Sequence, residues 1–226
     1  MRHGELAEVL PGLYFVTGTM KLRGPIRFSR NMTVVRRGER LVIVNSVRLD
    51  DAGLAALDQL GKVTDVVRLA AGHGMDDPFY AERYGAQVWA VKGQRYAGGF
   101  TPQHEMDATS ALPIDGAKLI VIDSTPPEGL LMLADDGGTI ISGDCLQHWA
   151  RRDEYTSWPA GVVMRMMGFF KPYNIGPGWL KQCKPPRAQL RALADLPFTH
   201  VLTAHGAPVI GDAAAKYRPT LERIGS

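Results

Sequence analysis

Residues 40–91 constrain the fold more than any other stretch, because they alternate between two periodicities. RLVIVNS (40–46) is an apolar, β-branched run. Asp50 or Asp51 then opens a segment that sets Leu54, Leu57 and Leu60 on one helical face, and Gly61 ends it. VTDVVRLA (63–70) reads as a strand, PFYAERYG (78–85) as a short helix and QVWAV (87–91) as a third strand. Strand, helix, strand, helix, strand is βαβ grammar, and it implies that these strands run partly parallel.

The flanking segments extend this pattern. GLYFVTG (12–18) is short, aromatic and β-branched, and NMTVVRRGERLVIVNS (31–46) reads as a hairpin turning at Gly38. KLIVID (118–123), GLLMLA (129–134) and TIISG (139–143) read as a three-stranded meander. RAQLRALADL (187–196) reads as a helix leading into strand HVLTA (200–204), and a last helix runs from about Gly211 past Pro219. Meanders in both halves with helices between them predict one α/β domain over residues 1–226. Its expected form is a four-layer αββα sandwich, two mixed sheets face to face with helices outside.

Asp144 to Pro186 is rich in Trp, Met, Gly and Pro and resists assignment. Within it Val163, Met166, Met167 and Phe170 can share a helical face, which predicts a core-covering helix. A substrate lid or a homodimer face is the other reading, since Met and Phe make adaptable contact surfaces.

Hydrophobic content of 45% and charged content of 22% suit a soluble globular chain, and no apolar run approaches the ~20 residues needed to cross a bilayer. The start, MRHGELAEVLPG, lacks a secretory pattern, and two cysteines make no disulfide framework, so a cytoplasmic protein without a membrane partner is expected. The net charge of +3 is scattered; the densest basic groupings are Arg36-Arg37 and Arg151-Arg152, too short for a nucleic-acid arm. The expected partner is a small-molecule substrate or ligand.

Metal-competent side chains follow three of the strands: His73, Asp76 and Asp77 after VVRLA, Asp144 after TIISG, and His205 after HVLTA. Strand ends are where sites are usually built on open α/β sheets. Each residue also has a plainer reading. Asp77 before Pro78 could cap a helix, and Asp144 could serve a turn. Gly72 and Gly74 could simply permit a tight turn. Cys145 is more often a small buried filler than a nucleophile.

The element order, the opening PGLYFV, GD after a hydrophobic hairpin and AHG after a late strand resemble the metallo-β-lactamase superfamily over about residues 10–215. That resemblance implies an αββα sandwich and hydrolysis with one or two metals between the sheets. The chain departs from the superfamily's HxHxDH motif. In GHGMDD, Gly72 and Gly74 stand where the first two histidines belong, Asp76 matches the aspartate, Asp77 replaces the last histidine, and His73 falls between. Ser124 or Thr125 takes the place of the mid-chain histidine, while Asp144 matches the bridging aspartate and His205 the late histidine.

The resemblance therefore implies that the first metal is lost. Asp76, Asp77, Asp144 and His205 could hold at most one divalent ion, Mn, Fe or Zn, or none. His73 or His148 would carry protons, and Arg151 and Arg152 would bind an anionic group of the substrate. The implied activity is hydrolysis of an ester, amide or phosphoester by a divergent hydrolase. The alternative is a metal-free relative that binds a ligand or acts as a scaffold.

Overall fold

The computed structural model describes residues 2–21 and 24–225. The chain forms β1 (Ala7–Leu10), β2 (Leu13–Lys21), β3 (Arg27–Arg37), β4 (Arg40–Val44), α1 (Asp51–Leu60), β5 (Lys62–Arg68), α2 (Asp77–Tyr84), β6 (Gln87–Val91) and β7 (His104–Met106). It continues with β8 (Lys118–Ile122), β9 (Glu128–Leu133), β10 (Thr139–Ser142), β11 (Leu146–Gln147), α3 (Trp158–Met166), β12 (Asn174–Ile175), α4 (Pro177–Cys183), α5 (Arg187–Ala192), β13 (His200–Leu202) and α6 (Ala213–Gly225).

The first sheet follows chain order, β1-β2-β3-β4-β5-β6-β7. Its first four strands pair antiparallel, and β3 turns into β4 at Gly38, which takes a positive φ of 62°. From β4 onward the pairs are parallel, because α1 and α2 carry the chain back across the sheet. The Asp50 carboxylate starts α1 by accepting from the Gly53 N–H at 3.0 Å. The second sheet has the order β13-β10-β9-β8, an antiparallel meander with β13 added parallel to β10.

Alternation along the strands makes the layers. In β5, Val66 packs outward with Leu57 of α1 and Tyr80 of α2. Its neighbour Val67 points inward, into a core shared with Leu131 and Ile141 of the second sheet. The outer face of that second sheet, through Leu130, Ile140 and Val201, packs against Leu190, Tyr217 and Leu221 of α5 and α6. This is the expected αββα sandwich. No helix among the described residues is long and apolar enough to cross a membrane.

Two features depart from the sequence reading. Three-residue β7 extends the first sheet beyond β6, although HEM shows no alternation to signal it. Residues 144–186 resolve into β11, α3, β12 and α4. In α3 the buried residues are Ala160, Gly161 and Met164, whereas Val163, Met166 and Met167 stand 52%, 83% and 53% exposed. Three of the four residues expected to enter the core are therefore largely exposed, while Ala160, Met164 and Phe170 pack with Trp149.

Candidate metal centre

Three loops leave the C-terminal ends of β5, β10 and β13 at one edge of the sandwich, and each delivers one potential ligand. After β5, a turn closed by His73 N–H to the Ala70 carbonyl (3.0 Å) buries the His73 ring. Asp144 follows β10, and its Oδ1 lies 3.4 Å from His73 Nε2 and 3.2 Å from His205 Nε2. His205 follows β13 in the AHG turn. There Gly206, at φ +84°, leaves room for the His148 carbonyl, which a Cβ would meet at 2.1 Å. The ligand atoms of His73, Asp144 and His205 all fall within 4.8 Å of one another.

The ring of His205 is held from two sides. Its Nδ1 donates to the Ser29 carbonyl at 2.9 Å, so Nε2 is the atom turned to Asp144. The Trp149 indole stacks on it with centroids 5.3 Å apart and planes 5° from parallel. Burial pushes the His73 pKa down, with Asp144 opposing in part. Burial also works against ionisation of Asp144, yet the two imidazoles outweigh it and hold this carboxyl below the usual carboxylate range.

The two aspartates of the quoted motif are engaged elsewhere. Asp76 pairs with the buried guanidinium of Arg30 and accepts from the Arg48 N–H at 2.8 Å. Asp77 is the first residue of α2, and its buried carboxyl accepts from Ser46 Oγ and from Tyr96 Oη (2.6 Å). Neither the expected cap nor the expected ligand role describes Asp77, and Asp76, at the cap position, makes no side-chain cap bond either. Of the expected ligands, Asp144 and His205 come together, and His73 joins them in place of Asp76 and Asp77.

The glycines explain the change. A Cβ on Gly72 would sit 3.6 Å from Asp144 Oδ2, at the edge of the group. A Cβ on Gly74 would meet Tyr96 at 2.5 Å and Arg68 Cδ at 2.7 Å. Arg68 stacks over the Tyr96 ring at 4.2 Å, so this pair fills the volume an imidazole at residue 74 would need.

Asp77 gives a pH signature. Burial raises its pKa, opposed by the bonds from Ser46 and Tyr96 and by the charges of Arg68 and Arg30. The folded state therefore binds this proton more tightly than the unfolded chain, and stability from this group falls as pH rises through the ordinary value of 3.8 toward the raised one. Relative to Asp77→Asn, the native protein is expected to gain stability between pH 7 and pH 4.5, as read by urea denaturation at each pH. A difference that stays constant or reverses would contradict the buried charge.

The remaining expected site residues lie apart from the group. His148 stacks on Tyr173 (4.5 Å), its Nδ1 accepts from the Tyr173 N–H at 3.3 Å, and burial lowers its pKa. Arg152 donates to the Thr156 carbonyl at 2.8 Å. Arg151 and Arg152 line a separate depression with Trp158, Arg165 and Phe170. Neither the proton-carrier role of His148 nor an anion-binding role of the two arginines at the His73–Asp144–His205 group fits these positions.

A cavity of about 610 Å³ opens onto the group, lined by Asp144, His205 and Glu128 among mainly apolar side chains. Glu128 is a site residue that the sequence reading missed. Its carboxyl is 1% exposed, Oε1 accepts from the Cys145 N–H at 2.6 Å, and Oε2 has no hydrogen-bond partner among the described residues. Burial, reinforced by the charge of Asp144, pushes its pKa well above the usual carboxylate range. The signal was there: a lone carboxylate opens the strand EGLLML, whose other residues are apolar or glycine. Cys145 is fully buried and its thiol pKa is pushed up by that burial, which fits the filler reading.

No family profile matches the chain by sequence, nor does any curated protein. Solved structures do. DIM-1 metallo-β-lactamase aligns at a TM-score of 0.66 and 11% identity, over 98% of this chain and 99% of that one. A metallo-β-lactamase from Hirschia baltica aligns at 0.62 and 13% identity, over 96% and 97%. The metallo-β-lactamase FIM-1 from Pseudomonas aeruginosa, in its mono-zinc form, aligns at 0.62 and 12% identity, over 98% and 96%. At full coverage with identities this low, the likeness is one of architecture: the chain has the metallo-β-lactamase fold.

Proposed function

We propose that the protein is a hydrolase working with one divalent metal held by His73, Asp144 and His205. The observation that carries this reading is the convergence of these three ligand atoms within 4.8 Å, delivered from three strand ends. The donor set fits an ion. With Nδ1–H of His205 committed to Ser29, Nε2 is the nitrogen turned to the Asp144 carboxylate oxygen 3.2 Å away. An ion held there would meet an imidazole nitrogen already oriented from its far side, as metal-ligating histidines usually are. Three protein ligands with an open position suit catalytic zinc, and two imidazoles with one carboxylate also suit iron(II) or manganese. Bound there, such an ion acidifies a water and polarises a carbonyl oxygen.

The chain's own groups support one ion rather than two. Arg30 neutralises Asp76, and Arg68 with Tyr96 fills the space beside Gly74. His205 is oriented by Ser29 and shielded on one face by Trp149. Burial raises the Glu128 pKa well above the usual carboxylate range, and its Oε1 accepts from the Cys145 N–H. The mono-zinc form of FIM-1 is a one-metal precedent on the same architecture. A cytoplasmic location fits the unpaired Cys145 and Cys183.

Elemental analysis of protein purified without added metal or chelator tests the reading, combined with hydrolysis of an activated ester. About one equivalent of Mn, Fe or Zn is expected, with activity lost on chelation and restored by the ion. Under about a tenth of an equivalent, with no uptake of added Mn, Fe or Zn, would overturn it and leave a metal-free binding protein.

A further inference from the structure

The cavity beside Asp144 and His205 has a composition that limits what it can receive. Among the described residues, none that lines it is lysine or arginine. Phe28, Trp149, Met164, Met167, Phe169 and Trp179 are large apolar members of its wall, and the acidic side chains in the lining are Glu128 and Asp144. An anionic group set against these walls, away from the ion, would lose its hydration without gaining a guanidinium or ammonium partner, which is costly. Arg27, Arg165, Lys181 and Lys184 neighbour lining residues in sequence but are absent from the lining; Arg165 lines a different depression with Arg151 and Arg152, and Lys184 another. At about 610 Å³ the cavity lies within the roughly 300–1,000 Å³ usual for small-molecule sites.

Its mouth is apolar as well. Met167 and Val163, both in the lining, are 53% and 52% exposed, so α3 and the turn after it present a wet hydrophobic rim rather than a sealed core. Exposed methionines at a rim adapt to ligands of different shape.

We propose that the substrate is an uncharged carbonyl compound with an apolar body: an ester, thioester or lactone of an alkyl or aryl acid. This rests on the hydrolytic reading of the His73–Asp144–His205 group. The carbonyl sits at the end formed by Glu128, Asp144 and His205, and the apolar body lies along Trp149, Met164 and Trp179. In the reaction the oxygen of water bonds to the carbonyl carbon and the acyl C–O or C–S bond breaks. The departing oxygen or sulfur takes one proton of that water, and an acid and an alcohol or thiol leave. Amides bearing a carboxylate and phosphodiesters are disfavoured, because beyond the ion itself no described lining residue offers an anion a cationic partner.

Two measurements on the metal-loaded protein test this separately. The first uses 4-nitrophenyl esters from acetyl to octanoyl. Each added methylene is expected to raise kcat/KM about threefold to fourfold until the cavity is full. Bis(4-nitrophenyl) phosphate is expected to react at least about a hundredfold more slowly than the octanoyl ester. Met167→Lys places a cation at an exposed rim position, where the fold is undisturbed, and is expected to flatten the chain-length series.

The second measurement needs no turnover. Cys183 lines the cavity and is half-buried, while Cys145 is fully buried and serves as an internal control. Methyl octanoate is expected to slow thiol labelling of Cys183 at least fivefold, and inorganic phosphate, which can reach the ion but cannot cover the apolar walls, to leave it nearly unchanged. Protection by methyl octanoate in a protein that hydrolyses nothing would sink the hydrolytic reading and keep the ligand class. Hydrolysis with a flat chain-length series, or with the phosphodiester as the better substrate, would overturn the ligand class and keep the hydrolase. Equal protection by phosphate would overturn it too.

Discussion

His73→Ala is expected to weaken metal binding by on the order of a hundredfold or more, whereas Asp77→Asn leaves it nearly unchanged. The contrast follows from where the two side chains go. His73 Nε2 lies 3.4 Å from the Asp144 oxygen that His205 also faces, while the Asp77 carboxyl accepts from Ser46 and Tyr96. Removing one imidazole leaves two ligand groups, too few to hold a divalent ion against water. Calorimetric titration of both variants with Zn and Mn reads the difference directly. Equal losses would restore the motif aspartates as ligands, and no loss in His73→Ala would take this histidine out of the centre.

Arg30→Ala is expected to be the most destabilising single change considered, at about 3–5 kcal/mol. Arg30 is 2% exposed and pairs with Asp76, so its removal strands a buried carboxylate that keeps only the Arg48 N–H. The pair is itself no strong source of stability. Arg30 Nε and Nη1 have no hydrogen-bond partner among the described residues, and desolvating both charges offsets much of their attraction. The double variant Arg30→Met, Asp76→Leu is therefore expected to recover most of the loss. Denaturant titration of the three proteins checks both statements. A single variant within about 1 kcal/mol of the native protein would mean that the carboxylate is solvated or proton-bound when alone.

The fold was legible because its signals are local. VTDVVRLA and TIISG state their strands through β-branched runs, and Leu54 and Leu57 mark the inner face of α1. What resisted reading depends on side chains meeting from distant positions. Asp77 looks like a helix cap in sequence because Pro78 follows it. Its partners Ser46 and Tyr96 come from 31 and 19 residues away. His73 looks like a spacer between two glycines, and nothing local shows that Arg68 and Tyr96 close the position beside it. Position along the motif suggested Asp76 and Asp77 as ligands; in the structure Arg30, Ser46 and Tyr96 engage those two, and His73 is the side chain beside Asp144 and His205. In α3 the error was of a different kind. A hydrophobic stripe was taken as the buried face, when the helix lies against Trp149 through Ala160 and Met164 and leaves Val163 and Met166 outside.

The stacking of Trp149 on His205 has a spectroscopic consequence. An indole emits according to the charge and polarity next to its ring, and this one stacks nearly parallel to an imidazole of the centre at 5.3 Å. Of the four tryptophans in the chain, Trp149 alone stacks on a ring of the His73–Asp144–His205 group among the described residues. The protein thus carries its own chromophore at the centre. A metal taken up at His205 is expected to change the quenching of Trp149, so that occupancy could be followed by light without a label.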